Sequence, residues 1–259
     1  MKGVILAGGL GTRLMPLTHM LNKHLLPVWD KPMIHYPVDN LIKSGIKEIL
    51  IISNDPDAFV RAFRKSKYKA DIRFGWQKGE SGIAHALLSA REFVGDDTCC
   101  VMLGDNIYQY RVSVAKRSFE EFMQYGSCGQ GGLIVTKQAN LAEDLTRFGC
   151  AFSDYTGLRR IVEKPDIKVI KEAVGSGSSA SIVTGTYFYT PDVFDVCKNL
   201  KPSARREYEI TDVNTHYLEK GCLQEYATEG WWQDAGTFES LYQATTVVRN
   251  EGANIAELE

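Results

Sequence analysis

Residues 1–28 read MKGVILAGGLGTRLMPLTHMLNKHLLPV. The apolar run KGVIL stops abruptly at Gly8, Gly9 and Gly11. Such a run reads as a buried first strand, and the glycines after it let backbone approach a ligand without Cβ obstruction. In an open α/β sheet, ligands sit at the carboxyl ends of strands, so this loop is the leading candidate site. Backbone N–H groups of Gly8, Gly9 and Gly11 can converge on an anion. Arg13 adds a planar donor fork suited to phosphate, and Lys23 adds a point charge. No lysine follows Gly11, so the loop is not a Walker A motif. Leu14 stands where the dinucleotide fingerprint needs Gly or Ala. The H-R-D and D-F-G elements of a kinase are absent as well.

Outward from this loop the pattern alternates. Apolar residues at helical spacing predict a helix over 32–44, with Gly45 as its stop. IKEILIIS predicts a buried strand, 57–66 a helix, ADIRFGWQ a strand, GIAHALLSAREFV a helix and CCVMLGDN another buried strand. Alternating strands and amphipathic helices imply an α/β fold, a mainly parallel, doubly wound (Rossmann-like) sheet. The second half is less regular. GGLIVTKQ, GCAFSD, LRRIVEKP and SSASIVTGTYFYTP predict strands, YEITDVNTHYLEKG a helix, LQEYATEGWWQDAGT a strand running into a turn, and 237–250 a closing helix. VGSGSSAS reads as a flexible surface loop. A single domain over 1–259 is expected. Its doubly wound part spans about 1–110, and an added β-rich, substrate-facing portion about 111–259.

Composition narrows the function classes. The 259 residues are 44% hydrophobic and 24% charged, as in ordinary globular chains. A formal net charge of −2 gives no electrostatic hold on nucleic acid or an anionic membrane. The N-terminal run is a strand, not a signal peptide, and no apolar stretch reaches the roughly 18–20 residues of a membrane span. The six cysteines (99, 100, 128, 150, 197 and 222) form no C-x-x-C pair. Reduced thiols in a cytoplasmic protein are expected.

LAGGLGTRLMPLT followed by NKHLLPVWDKPMIHYP resembles the signature of the sugar-1-phosphate nucleotidyltransferase family. VMLGDNIY, IVEKP, VTGTYFY, ARREYEITDVN and GWWQDAGT fall in that family's order, so the resemblance spans nearly the whole chain. It implies a reaction between a nucleoside triphosphate, most closely dTTP, and a sugar 1-phosphate such as glucose 1-phosphate. A sugar-phosphate oxygen attacks the α-phosphorus in line and pyrophosphate leaves. Both reactants are polyanions, so the site must supply positive charge and alignment, not a covalent nucleophile.

Carried over residue by residue, the resemblance gives catalytic roles to Arg13, Lys23, Asp105 and Asp234. Asp105 and Asp234 would hold Mg²⁺, for which paired carboxylates are apt hard ligands. Leu6, Ala7, Gly8, Gly9, Gly11, Thr12, Gln77, Gly82 and Asp105 would face the nucleotide. The Gln77 amide suits the imide edge of thymine or uracil. Gly149, Glu163, Lys164, Thr184, Gly185, Tyr187 and Arg205 would face the sugar phosphate. Trp232 is open between pocket wall and packing, whereas Trp231 reads as core. Most histidines read as structural, with His85 near the nucleotide. The sequence departs from the family pattern at Asn22 (usually Ser), Lys78 and Gly79 (usually Pro after the glutamine and two places later), Arg206 (Gly) and Ala235 (Thr). The resemblance also implies a homo-oligomer. The chain ends at Glu259, soon after the closing helix, so a regulatory nucleotide site built on further helices is not expected. UTP preference, another hexose phosphate, a non-catalytic sugar-nucleotide sensor and a glycosyltransferase remain the alternatives.

Overall fold

A computed structural model describes residues 1–77, 81–125, 129–140 and 145–254. After β1 (Lys2–Leu6), the chain crosses the glycine loop and the hairpin β2 (Pro27–Val28)–β3 (Lys31–Pro32) into α1 (His35–Lys43). There follow β4 (Glu48–Ser53), α2 (Pro56–Phe63), β5 (Asp71–Trp76), α3 (Ile83–Leu88), α4 (Arg91–Val94) and β6 (Cys99–Leu103). The second half holds β7 (Asn106–Tyr108), α5 (Ser113–Tyr125), β8 (Gly132–Gln138), β9 (Gly149–Asp154), β10 (Gly157–Glu163), α6 (Ile167–Gly175) and β11 (Ser179–Tyr189). The chain then runs through α7 (Val193–Asn199), α8 (Ile210–Glu219), β12 (Leu223–Ala227), β13 (Trp232–Asp234) and α9 (Phe238–Glu251).

One nine-stranded sheet runs through both halves in the order β10-β9-β11-β6-β1-β4-β5, with β8 on β11 and β12 on β8. Strands β5, β4, β1 and β6 are parallel, and from β11 onward the pairs are antiparallel except that β12 runs parallel to β8. Side chains alternate across a strand. Val4 and Leu6 therefore enter the core under α3, α4, α7 and α8, while Ile5 and Ala7 enter the one under α1, α2, α5 and α6. The doubly wound sheet with its β-rich addition is the α/β architecture that the alternating pattern implies. A third, smaller cluster packs α9 against Val28, Met33, Tyr36 and Ile107.

Local chemistry sets the element ends. Asp55 caps α2 by accepting from Ala58 N at 3.1 Å, with Pro56 in the first turn. Thr237 and Ser240 cap α9 reciprocally. Four boundaries differ from the sequence reading. GIAHALLSAREFV divides into α3 and α4, and the stretch 223–234 into β12 and β13. VGSGSSAS is a turn only at 176–178, since α6 runs to Gly175 and β11 begins at Ser179. The helix expected from 32 begins at His35, because Pro32 pairs in β3. Cys99, Cys100, Cys150 and Cys197 are free, as expected, but Cys222 is disulfide-bonded, against the expectation of reduced thiols. Lys78, Gly79 and Cys128 lie outside the described residues.

Strand β11 breaks register between Val183 and Tyr187, where it bulges against β8. Gly185 sits in the bulge at φ +72°, and Tyr108 Oη bridges it, donating to Thr184 O at 2.6 Å and lying 2.6 Å from Thr186 Oγ1. A Cβ on Gly185 would meet Leu103 Cδ1 at 2.8 Å and Asn106 Nδ2 at 3.0 Å. Gly185→Ala is therefore expected to lower unfolding free energy by about 1–3 kcal/mol in a urea titration. An unchanged midpoint and slope would show that the bulge does not need glycine.

Candidate active site

The strand ends and loops surround an open cleft of about 480 Å³. On one wall the chain leaves β1 at Leu6, and Ala7 N donates to Ile52 O at 2.7 Å before the glycines turn. At Gly8 a Cβ would lie 1.8 Å from Gln77 Oε1, so only glycine lets Gln77 cover the loop. Asn22 caps the turn Lys23–Leu25 by accepting from His24 N at 2.9 Å. Its amide also donates to Ala7 O at 3.0 Å. The polarity shared by Asn and Ser is what this cap needs. The turn delivers Lys23 Nζ to Asp105 Oδ2 at 2.5 Å. Burial, reinforced by Lys23, lowers the His24 pKa to about 3, so its imidazole is neutral.

The two acids meet because β7 pairs antiparallel with β13, Asn106 opposite Asp234. Ala235 N donates to Asp105 O at 2.9 Å. Both residues are 8% exposed. Asp105 Oδ1 accepts from Asn106 Nδ2 at 3.0 Å, and Asp234 Oδ1 accepts from Gly236 N at 3.0 Å. Burial opposes ionisation of Asp105, but the Lys23 ammonium in contact holds its pKa down to about 2. Burial and then repulsion from Asp105 raise Asp234 to about 6, against the pull of Lys23, Arg13 and Arg147. A Cβ on Gly236 would fall 2.8 Å from Asp234 Oδ1, 3.0 Å from Arg13 Nη2 and 3.5 Å from Asp105 Oδ2. That glycine keeps open a cradle bordered by both acids and Arg13. Two buried hard-oxygen groups at such a cradle fit a magnesium ion that draws its remaining ligands from water and phosphate.

The opposite wall carries the sugar-side residues. Strand register sets Gly149 against Glu163, and Glu163 Oε2 accepts from Thr211 Oγ1 at 2.7 Å. Lys164 follows at φ +45°, with its N–H donating to Phe148 O at 3.0 Å. Gly185 and Tyr187 reach the cleft from the β11 bulge. Arg205 lies among acids: 2.8 Å from Glu207, 3.1 Å from Glu209 and 3.6 Å from Glu163.

The cleft thus gathers Leu6, Gly8, Gly9, Gly11, Thr12, Arg13, Lys23, Gln77, Gly82, Asp105, Gly149, Glu163, Lys164, Gly185, Tyr187, Arg205 and Asp234. Two expected residues are not on its wall. Ala7 is fully buried, and Thr184 Oγ1 donates inward to Val135 O at 2.9 Å. His85 is not on it either, stacking on Tyr208 with centroids 5.7 Å apart. Of the two tryptophans, Trp232 lines the cleft and donates to Asn106 Oδ1 at 2.6 Å, whereas Trp231 packs under α9. Sequence reasoning missed Arg147, Asn106 and Thr211. Arg147 stands two residues before Gly149, a spacing that pointed to it; Asn106 and Thr211 become visible only through pairing.

Fold and cleft together define an enzyme that handles phosphate esters at the ends of parallel strands. The chain belongs to the nucleotidyl transferase family, whose model matches residues 2–251. It is 38% identical over 255 residues to a glucose-1-phosphate thymidylyltransferase of Neisseria meningitidis, covering 96% of this chain and 83% of that one. It is 39% identical over 258 residues to the enzyme of the same name from Mycolicibacterium smegmatis, covering 96% and 82%. A crystal structure from Bacillus anthracis, assigned to the same activity and holding a sucrose, superposes with a TM-score of 0.83 at 37% identity, covering 100% of this chain and 98% of that one. A UDP-glucose pyrophosphorylase complexed with UDP-glucose shares the fold, with a TM-score of 0.78 at 24% identity over 96% and 98% of the two chains.

The raised Asp234 pKa has a pH signature. Below about 6 the group holds a proton that a divalent cation must displace. Calorimetric Mg²⁺ or Mn²⁺ affinity should therefore fall as pH drops, by about tenfold per unit below that pKa, and rise to a plateau above pH 7. A flat profile between pH 5 and 7.5 would remove Asp234 from the cation site.

Proposed function

We propose that the chain transfers a thymidylyl group from dTTP to glucose 1-phosphate, giving dTDP-glucose and pyrophosphate. The observation that carries this reading is the single cleft joining the glycine loop and Arg13 to Asp105 and Asp234, and those to Glu163 and Lys164. The part around 1–110 takes the nucleotide and the remainder of one domain takes the sugar phosphate. A sugar-phosphate oxygen forms the new bond to the α-phosphorus as the bond to the β-phosphate bridging oxygen breaks, and that electron pair leaves with pyrophosphate.

The glycine-loop amides wrap the triphosphate, with Leu6 and Thr12 at its border. Arg13 neutralises the β- and γ-phosphates and Lys23 the α-phosphate region. Gln77 and Gly82 meet the pyrimidine edge. Glu163 accepts sugar hydroxyls, Gly149, Gly185 and Tyr187 shape the hexose pocket, and Lys164 with Arg205 faces the sugar phosphate. Asp105 and Asp234 would hold Mg²⁺, which would neutralise charge at the α-phosphate of the thymidylyl group. No side-chain nucleophile is needed. The free thiols are buried, and burial pushes Cys99, Cys150 and Cys197 up to about 12.

Among the described residues no helix is long and apolar enough to cross a membrane. Since both substrates are charged soluble metabolites, the reading makes the enzyme cytoplasmic. It also makes it a homo-oligomer, which light scattering tests.

The decisive measurement is pyrophosphate release from dTTP, glucose 1-phosphate and Mg²⁺. No release with any of a panel of nucleotides and hexose 1-phosphates would sink the assignment. Faster release with UTP would transfer it to a uridylyltransferase, which the Gln77 amide fits equally well. Asp105→Asn is expected to reduce kcat by at least about a hundredfold, the scale of losing one electrostatic contact to the transition state. Its thermal midpoint should move little; unfolding instead would make Asp105 a structural residue.

A further inference from the structure

Arg147 stands where the two walls of the cleft meet. It ends the 3-10 turn Leu145–Arg147, two residues before Gly149, and Phe148 O accepts from Lys164 N at 3.0 Å. That register sets Arg147 beside Lys164, on the sugar-phosphate wall. Its Nη2 nevertheless reaches across to Asp234 Oδ2 at 3.2 Å, on the carboxylate wall. The side chain is 35% exposed. The guanidinium carbon lies 5.3 Å from the Phe148 ring centroid, and that ring meets Trp232 edge-on at 5.4 Å.

The other cleft cations are committed differently. Arg205 is shared among Glu163, Glu207 and Glu209, so much of its charge is already answered. Lys23 is bound to Asp105. Arg147 pairs with Asp234, the carboxylate whose Oδ1 is already fixed by Gly236 N. A guanidinium carries five donors in a planar fork, so a contact through Nη2 leaves capacity for a phosphate oxygen.

We infer that Arg147 is a phosphate-binding residue of the sugar 1-phosphate subsite, coupled to the carboxylate pair through Asp234. Its guanidinium holds Asp234, yields that carboxylate to a divalent cation, and bonds the sugar phosphate. This coupling would make the sugar phosphate bind best once the carboxylates are engaged elsewhere. The inference rests on the proposed reaction, and its test separates the two.

The test is calorimetric binding of glucose 1-phosphate, in magnesium-free buffer, to the full chain and to Arg147→Gln, Arg147→Lys, Asp234→Asn and the Arg147→Gln/Asp234→Asn double variant. Arg147→Gln should weaken that binding about tenfold or more, the scale of a charge-assisted hydrogen bond, and Arg147→Lys should lose less. Affinity for dTTP, titrated alone, should change by less than about threefold. Asp234→Asn, which removes the competing acceptor, should tighten glucose 1-phosphate binding in the parent, with most of that gain lost in the Arg147→Gln background. Thermal midpoints establish that each variant is folded. The inference is overturned if Arg147→Gln leaves glucose 1-phosphate binding unchanged or weakens dTTP equally, or if Asp234→Asn has the same effect in both backgrounds. Pyrophosphate release by the parent is the separate control: its absence rejects the reaction, whereas its presence alongside unchanged binding rejects only the role of Arg147.

Discussion

The antiparallel pairing of β7 with β13 is the constraint around which the cleft is organised. It joins two segments more than a hundred residues apart in sequence, and it does so with three residue pairs, Asn106–Asp234, Ile107–Gln233 and Tyr108–Trp232. Two acids are thereby held close in a poorly solvated place, an arrangement that costs free energy unless opposite charge is supplied. The supply is specific. Lys23 sits on Asp105 and Arg147 on Asp234, each held by its own local turn. The glycine loop, the cap at Asn22 and the turn before β9 can each be read as a means of delivering one cation to one carboxylate.

The same pairing explains why the middle of β11 must bulge. Tyr108, one end of the β7 ladder, sends its hydroxyl to Thr184 and Thr186 at the break in β11. A regular strand there would return the β11 backbone to the β8 ladder and take Gly185 away from the cleft. Thr184, expected from the family pattern to touch the sugar, instead supports the bulge from behind. A motif can thus carry a residue whose part is to place its neighbour, and only the third dimension separates the two roles.

Legibility in the sequence followed the range of the interactions. β1, β4 and β6 are buried on both faces and read as continuous apolar runs, so the parallel half was visible from pattern alone. α5, α6 and α7 drew no expectation from the pattern. In α5, Ala115 and Phe119 are its buried residues within a highly charged segment, and α6 ends in the glycine and serine stretch that reads as loop. The division of α3 from α4 falls at Ser89 and Ala90, and Ala90, an excellent helix former by propensity, gives no sequence signal for it. Within the cleft, local chemistry marks the glycine loop with Arg13 and Lys23, whereas the downstream residues were reached through the family resemblance. Asn106 and Thr211 were not, since each acts by holding a charged neighbour and neither carries a distinctive spacing.

The charges in the cleft bear on what a cation would do in the proposed reaction. The lining holds five basic groups, Arg13, Lys23, Arg147, Lys164 and Arg205, and five acids, Asp105, Glu163, Glu207, Glu209 and Asp234. With His24 neutral, the cleft has no formal excess of positive charge when all five acids are ionised, so its attraction for two polyanions cannot come from net field. It comes from placement. Arg13 and Lys164 make no ion pair among the described residues, and they stand on opposite walls, one beside the glycine loop and one beside Gly149. Each can take one anion, but bringing both anions to the middle sets charge against charge over the Asp105–Asp234 pair. On the proposed reading, a divalent cation held there would offset that charge and draw both phosphates to the middle of the cleft.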